Sequence, residues 1–224
     1  MPQAVRTTVE LHEPPSRESV IPPHKTIATP LGPIFLQYHC PPLLVESLRA
    51  GRGLRAFARL PEREHALLLG LARRSDSRLA LAYTPAGEIV GQVTLAPVDA
   101  WWGGLANAYE IAVEVSSGWR EFGIARQLLA LVFEQEPLEH RIILGLGLSW
   151  HWDIEGLGIN RFRYRELVAR LFAPYGFVEY LTSEANIRMD PANILLVRLG
   201  RYVDQETLNQ FFRRLFQSDT LPGL

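Results

Sequence analysis

The middle of the chain alternates apolar and polar side chains between residues 109 and 115. One face of an extended segment would carry Ile111, Val113 and Val115, and the opposite face would carry Glu110, Ala112 and Glu114. A repeat of two is typical of a β-strand with one face in the core. The pattern therefore predicts a strand over Tyr109–Val115 with both carboxylates on the same face.

A helical repeat replaces the repeat of two directly after this strand. The polar turn Ser117–Trp119 is followed by the hexapeptide Arg-Glu-Phe-Gly-Ile-Ala at residues 120–125. Apolar residues then recur at helical spacing, namely Leu128, Leu129, Leu131, Val132 and Phe133. We therefore predict a strand, a short turn and a helix, with an Arg-x-x-Gly-x-Ala sequence at the start of the helix.

The start of this helix is a candidate anion site. Backbone N–H groups in the first turn of a helix lack partners and lie at the positive end of the helix dipole, and Gly123 would let a phosphate approach them closely. One charge at a helix end contributes only about 0.3–1 kcal/mol, so tight binding needs several amides on a pyrophosphate. The same pattern also occurs at ordinary helix starts, and by itself it leaves both interpretations open.

Further strands and helices are predicted on both sides of this unit. The predicted strands are Thr29–Tyr38, Arg78–Tyr83, Glu88–Leu95, Arg141–Leu148, Phe177–Leu181 and Ile194–Leu199. The predicted helices are Leu43–Leu48, Glu62–Ala72, Arg161–Phe172, which Asn160 would cap, and Asp204–Phe216. The nearly continuous apolar run in residues 141–148 is expected of a strand inside a parallel or mixed sheet that is covered on both faces. Together these elements predict an α/β domain.

Composition divides the chain into three predicted regions. Residues 1–25 are expected to form a mobile or extended arm, because Pro14-Pro15 and Pro22-Pro23 disfavour both helix and central strand. Residues 26–203 are expected to form the α/β domain. Residues 204–224 are expected to form a closing amphipathic helix and a C-terminal tail.

Length, charge and cysteine content narrow the class of protein. The chain has 224 residues, 47% of them hydrophobic, which is enough for one sizeable core. With 23 basic and 24 acidic residues the net charge is −1, so we expect no nucleic-acid partner. The single cysteine, Cys40, excludes an internal disulfide and is expected to be buried rather than nucleophilic. Because the N-terminus lacks a secretory signal and no run approaches the about 18 apolar residues of a membrane span, we expect a cytoplasmic protein with no membrane partner.

Candidate chemistry follows the apolar run of residues 141–148. Ligands of open α/β sheets usually lie at strand ends, and Trp150-His151-Trp152-Asp153 comes directly after this strand. His151 and Asp153 could face a metal ion, but the spacing suggests no third ligand, so we expect no metal. For His151, a structural hydrogen-bonded role and a role in catalysis or substrate binding remain alternatives.

Two adjacent tryptophans, Trp101 and Trp102, lie in the glycine-rich segment 99–104. Large aromatic side chains concentrate at protein interfaces, so this loop is a candidate contact surface. The alternative is that one of the two rings covers the edge of the core.

The strand, turn and helix around Arg-x-x-Gly-x-Ala resemble the acetyl-CoA pyrophosphate loop of GNAT-type N-acetyltransferases, and the element order agrees from Leu79 to Leu199. A more specific resemblance is to the acetoin-utilisation protein acetyltransferases. It is carried by Trp150–Asp153, Asn160, Tyr164-Arg165 and Pro191-Ala192-Asn193. The resemblance implies a single GNAT-like domain with a mixed, mostly antiparallel central sheet flanked by helices, and acetyl-CoA as cofactor.

The resemblance also implies roles for individual residues. The expected cofactor-binding residues are Val113, Val115, Arg120, Phe122, Gly123, Ile124 and Ala125. The expected substrate-binding residues are Trp102, Trp150, Trp152 and Asp153. Glu114 matches the acidic position of the acetoin-utilisation family and is expected to be the general base, whereas Glu110 lies nearer the base of the histone-acetylating branch. Four residues along a strand separate them by roughly 13 Å, so they are not a coupled pair. His151 is expected to position the amine or to help deprotonate it.

One residue departs from the GNAT pattern. Many GNAT enzymes place a tyrosine before the Gly-Phe of the late strand to protonate the leaving thiolate, but here that place is Phe172, and Tyr175 is positioned differently. The general acid is therefore unassigned.

The resembled family acetylates a lysine of acetyl-CoA synthetase and thereby inactivates it. We accordingly expect a protein lysine acetyltransferase whose acceptor amine attacks the thioester directly. The alternatives are a small-amine acetyltransferase and a non-enzymatic module that senses acyl-CoA and binds a partner.

Overall fold

The computed structural model describes residues 23–54, 57, 60–98 and 100–217. Its strands are β1 Lys25–Thr29, β2 Gly32–Tyr38, β3 Arg49–Ala50, β4 Arg78–Tyr83, β5 Glu88–Pro97, β6 Ala108–Val115, β7 Ile142–Gly147, β8 Val178–Tyr180 and β9 Ile194–Leu199. Its helices are α1 Pro42–Ser47, α2 Pro61–Ala72, α3 Ile124–Gln135, α4 Ile154–Leu157, α5 Arg161–Phe172, α6 Ala185–Arg188 and α7 Gln205–Arg214. None of the helices in the described ranges is long and apolar enough to cross a membrane.

All of these strands belong to one sheet in the order β1-β2-β4-β5-β6-β7-β9-β8, with β3 paired to β5. Neighbouring strands are antiparallel except for the pairs β6–β7 and β3–β5, which are parallel. This confirms the predicted α/β fold with a mixed, mostly antiparallel sheet flanked by helices.

The central strands β6 and β7 diverge along their length. They pair only from Ala108–Ile142 to Glu110–Leu144. Beyond that point β6 stays paired with β5 as far as Val115, and β7 stays paired with β9 as far as Gly147. The sheet therefore opens in a V between the carboxyl ends of two strands, where α/β proteins usually bind ligands.

Helices cover both faces of the sheet. On one face α3 buries Ile124, Leu128, Leu129, Leu131 and Val132, and α5 adds Phe172. On the other face α2 packs Leu68 against Leu79 and Leu81, and α7 packs Phe211 beneath β7 and β9. Residues of the two faces alternate along β4 and β7, as the repeat of two in a strand requires.

Several short elements of the structure were not predicted from the sequence. The predicted strand Thr29–Tyr38 corresponds to β2, but β1 was not predicted; it pairs with β2 in a hairpin whose turn ends at Gly32, which has φ of 108°. β3, α4 and α6 have two to four residues, too few to show a periodic pattern. The predicted capping of α5 is confirmed, because the Asn160 side chain accepts a hydrogen bond from the Arg163 amide.

The predicted division into an arm, a domain and a closing helix stays a prediction. Most of the expected arm, residues 1–22, lies outside the described residues, and Lys25 already belongs to β1. At the other end α7 begins after its capping residue Asp204, and residues 218–224 lie outside the described part of the chain.

Candidate active site

A cleft of about 920 Å³ opens between the diverging ends of β6 and β7. Its walls are residues 110–115 of β6, residues 145–148 at the end of β7, the first turn of α3 and one side of α5. This volume lies in the range of about 300–1,000 Å³ that is usual for ligand sites. The V in the sheet is therefore the candidate active site.

The first turn of α3 has the properties of a pyrophosphate site. Gly123 precedes the helix in a left-handed conformation with φ of 75°, and as a glycine it has no side chain that could cap the first-turn amides. A Cβ atom at Gly123 would meet no heavy atom within 4 Å among the described residues, so the space beside these amides is open. Unpaired N–H groups at a helix start attract anions, so this donor set fits the pyrophosphate of acetyl-CoA.

Apart from Gly123, the predicted cofactor-binding residues divide into two groups. Val113, Val115, Arg120 and Ala125 line the cleft. Phe122 and Ile124 pack their side chains into the core, and Ile124 is 1% exposed. The side chains of these two residues therefore face away from a ligand, and only their backbone amides are available to one.

The edge of β6 that faces β7 is also available to a ligand. Past Glu110 this edge has no strand partner within the described ranges, while β5 pairs with the opposite edge. An unpaired edge presents N–H and C=O groups to an extended molecule. The edge therefore suits the amide groups of a pantetheine arm.

Glu114 belongs to a buried polar cluster in the wall of the cleft. The side-chain nitrogen Nε2 of Gln92 donates to Glu114 Oε2 at 3.0 Å and to Glu64 Oε1 at 2.7 Å. Glu64 and Gln92 are fully buried, and Glu114 is 8% exposed. No sequence pattern indicated this cluster, because Glu64 resembles an ordinary acidic residue in the first turn of a helix.

Glu110 lies deeper in the same cleft. It lines the wall at the last paired position of β6 and β7, opposite Leu144. Glu114 lies on the open part of the V, beyond that pairing. Both predicted carboxylates therefore reach the cleft at different depths.

The loop after β7 forms the opposite wall. It contains a short 3₁₀ turn at Ser149–His151. The ring centroids of His151 and Phe57 are 5.5 Å apart, and Trp152 stacks on Tyr164 at 5.0 Å. Trp150 is 40% exposed. The structure therefore brings the Trp-His-Trp-Asp segment to the cleft.

An ion pair connects the two sides of the cleft. Arg120 Nη1 lies 2.6 Å from Asp153 Oδ2, and Asp153 Oδ1 accepts a hydrogen bond from the Gly156 amide at the start of α4. The loop after β6 is thereby fixed to the loop after β7. Both residues were predicted to contact ligands, and their side chains have this structural interaction as well.

A second set of hydrogen bonds holds the loop after β7 against β9. The Ser149 amide donates to Asn193 Oδ1 at 2.7 Å, and the Ser149 hydroxyl donates to Asp190 Oδ2 at 2.9 Å. Asn193 Nδ2 in turn donates to the Asn186 carbonyl. The Pro191-Ala192-Asn193 match therefore marks residues that support the site from outside the cleft.

Comparison with known proteins agrees with this geometry. No protein-family model matches the chain. The chain is 30% identical over 203 residues to the acetoin utilization protein AcuA of Bacillus subtilis, a similarity that covers 86% of this chain and 96% of the relative. The chain belongs to the AcuA family. This membership confirms the resemblance to the acetoin-utilisation family that was noted from the sequence.

Solved structures include a second AcuA-like relative. The crystal structure of an acetoin utilization protein from Exiguobacterium sibiricum is 29% identical, with a TM-score of 0.81, and the match covers 86% of this chain and 93% of that one. A more distant similarity, with 13% identity and a TM-score of 0.49, is to an acetyltransferase of the GNAT family from Streptococcus pneumoniae, over 75% of this chain and 99% of that one.

In this AcuA-family protein Trp102 is a core residue. Its side chain is 3% exposed and stacks on Phe211 of α7 at 5.9 Å. Trp101 donates its ring N–H to the Arg214 carbonyl. The predicted substrate-binding role of Trp102 does not fit this burial, whereas the alternative of a ring that covers the core edge does.

The place of the usual GNAT tyrosine is filled by an apolar residue. Phe172 is 3% exposed and packs against Phe177, and the Tyr175 hydroxyl donates to the Arg126 carbonyl. Two turns earlier on the same side of α5, Tyr164 lines the cleft. Burial raises the pKa of Tyr164 above that of an ordinary phenol, so it stays protonated at neutral pH. The sequence did not predict a role for this phenol.

Within the described ranges, no group of three or more His, Cys, Asp or Glu side chains is arranged to hold a metal ion. In particular, Asp153 pairs with Arg120.

Proposed function

We propose that this AcuA-family protein transfers the acetyl group of acetyl-CoA to the ε-amine of a lysine on an acceptor protein. We further propose that the acceptor protein is acetyl-CoA synthetase. The observation that supports an amine acceptor is the charge of the cleft. Among the described residues that line it, four are carboxylates, namely Glu110, Glu114, Asp153 and Glu155. One is an arginine, Arg120, and it is paired with Asp153. Such a lining attracts a cationic ammonium group.

The acceptor's size is inferred from the mouth of the cleft. Trp150 is 40% exposed and Leu167 is 42% exposed, and both residues also line the cleft. Exposed apolar side chains beside a site favour contact with a large partner. The choice of acetyl-CoA synthetase rests on the resemblance to the acetoin-utilisation acetyltransferases.

In the proposed mechanism the protein orients two substrates and removes one proton. The first-turn amides of α3 bind the pyrophosphate, and the open edge of β6 binds the pantetheine arm. The bound cofactor supplies an activated acetyl thioester. A lysine ammonium with a pKa near 10.4 is almost fully protonated at neutral pH, so a base must accept its proton before the amine attacks.

Glu114 is the proposed base. Its carboxylate accepts the proton of the ammonium group, directly or through one water molecule, and His151 on the facing wall holds the amine. Because the amine attacks the thioester directly, the enzyme forms no covalent intermediate of its own.

The test compares two carboxylates in the same strand. Glu114→Gln should lower kcat by about 10²- to 10⁴-fold, the usual effect of removing a general base, and should leave acetyl-CoA affinity in calorimetry nearly unchanged. Glu110→Gln is the matched control and should retain most of the rate. If Glu110→Gln alone abolishes turnover, the two roles must be exchanged; if neither variant loses rate, carboxylate base catalysis is wrong.

A small-amine acetyltransferase is the second candidate, because an acidic cleft would also attract a free polyamine. Comparing protein and small-amine acceptors separates the two functions.

A further inference from the structure

The hydrogen bonds of Gln92 place one amide group between two acidic side chains. Its NH₂ group has two hydrogens, and the two contacts at 2.7 and 3.0 Å use one each, on Glu64 and Glu114. With the amide turned the other way, the carbonyl oxygen of Gln92 would face both carboxyl groups. The two contacts therefore fix the orientation of this side chain.

The sheet register supports the same arrangement. Gln92 on β5 lies directly opposite Glu114 on β6. Directly opposed residues of antiparallel strands have their Cβ atoms about 4.5–5.5 Å apart, so the contact is built into the strand pairing. Glu64 approaches from α2, an element outside the sheet.

This arrangement is unfavourable for stability. Gln92 is fully buried, and its carbonyl oxygen Oε1 has no hydrogen-bond partner among the residues that the structure describes. An unpaired buried polar group destabilises a protein, and an apolar side chain of similar size would avoid the penalty. Features that lower stability concentrate at functional sites. Gln92 is therefore a candidate for a functional role in the cleft.

We propose that Gln92 is a positioning residue, which holds the Glu114 carboxylate in the orientation that accepts the proton of the acceptor amine, and that Glu64 fixes Gln92 from α2. This inference rests on the proposed role of Glu114 as base. The hydrogen bond to Oε2 restricts rotation of the carboxylate about its terminal bond. A base that is held in place reacts faster than one that samples several orientations.

The main test replaces Gln92 with methionine, which has a similar size but no N–H group. Gln92→Met should lower kcat by about 10- to 100-fold, because small misplacements of catalytic groups have effects of this size. KM for acetyl-CoA should stay unchanged. In a Glu114→Gln background the same substitution should have no further effect on kcat, since the group that it positions is already lost.

The matched control is Gln37→Met. Gln37 is also buried, at 3% exposure, and its Oε1 also lacks a hydrogen-bond partner within the described part of the chain, but Gln37 lies on β2 and away from the cleft. This variant should retain wild-type kcat. An equal loss of kcat in Gln37→Met would show that the effect of Gln92→Met is a general effect of removing a buried amide, and would overturn the proposal.

A second pair of variants tests the contribution of α2. Glu64→Gln keeps an oxygen that accepts from Gln92, whereas Glu64→Leu removes it. We expect Glu64→Gln to rescue most of the kcat that Glu64→Leu loses. Wild-type kcat in both Gln92→Met and Glu64→Leu would overturn the inference, even when Glu114→Gln is inactive. An active Glu114→Gln enzyme would instead refute the proposed base.

Discussion

Replacing Gly123 with alanine separates the folding and binding roles of the start of α3. Its φ of 75° lies in the left-handed region, which costs an L-residue about 1–2 kcal/mol. A Cβ atom there would meet no heavy atom within 4 Å among the described residues, so no steric clash should add to this cost. In a chain of 224 residues, each 1 kcal/mol lowers Tm by about 2–4 °C.

Gly176 is a matched control for the folding effect. It has φ of 79°, a Cβ atom there would also meet no described atom within 4 Å, and it is absent from the cleft lining. Gly176→Ala should therefore lower Tm by about the same amount as Gly123→Ala. Calorimetric or fluorescence melting of both variants checks this expectation.

Binding should distinguish the two glycines. In the proposed binding mode, a methyl group at Gly123 would lie where the pyrophosphate approaches, and Gly123→Glu would add a negative charge at the same place. Charge effects at a helix start reach about 2 kcal/mol in partly buried sites, so we expect Gly123→Glu to weaken CoA binding by at least about tenfold. Titration calorimetry with CoA, and with pantetheine as a ligand that lacks the pyrophosphate, measures the effect.

The loss should appear for CoA and not for pantetheine. Folded Gly123→Ala and Gly123→Glu variants that bind CoA with wild-type affinity would refute the assignment of the pyrophosphate to this helix. A Gly176→Ala variant that loses as much affinity as Gly123→Ala would refute it as well.

Two further predictions concern Arg120 and Cys40. Arg120→Gln and Asp153→Asn should each lower kcat/KM. The double variant should have a kcat/KM no lower than that of the less active single variant, because the two side chains act as one pair. Additive losses of kcat/KM would contradict this coupling. Burial raises the pKa of the Cys40 thiol to about 12, so at pH 8 only about 10⁻⁴ of it is thiolate, and a disulfide reagent should label the protein only after denaturation. Labelling of native protein within seconds would show that Cys40 is accessible.

Local pattern was sufficient for the parts of the fold that repeat regularly. The alternation around Glu114, the helix after Gly123 and the cap at Asn160 each depend on neighbours in sequence, and the structure has them as predicted. The short strand β1 and the turn at Gly32 were not predicted, because the apolar run that indicates a strand in this region lies in β2.

Contacts between distant residues were beyond this kind of prediction. Gln92 contacts Glu64 across 28 positions, and Arg120 contacts Asp153 across 33, so neither pair leaves a periodic signal. Trp102 is a similar case: its loop composition indicates an exposed contact, but its burial depends on Phe211, more than 100 residues later. Tertiary packing determines the contacts and the burial of such residues, and the spacing of residues in the sequence does not reveal that packing.

Acetylation of a purified acceptor tests the central claim most directly. The protein is incubated with acetyl-CoA and acetyl-CoA synthetase, or with polyamines, amino acids or aminoglycosides at matched concentrations, and initial rates are compared, with Glu114→Gln as the inactive control. We predict that tandem mass spectrometry finds one or a few acetylated lysines on the synthetase, that this reaction is the fastest, and that the control does not form them. Faster acetylation of any small amine, or a synthetase without new acetyl-lysine, would contradict the proposed protein acetyltransferase.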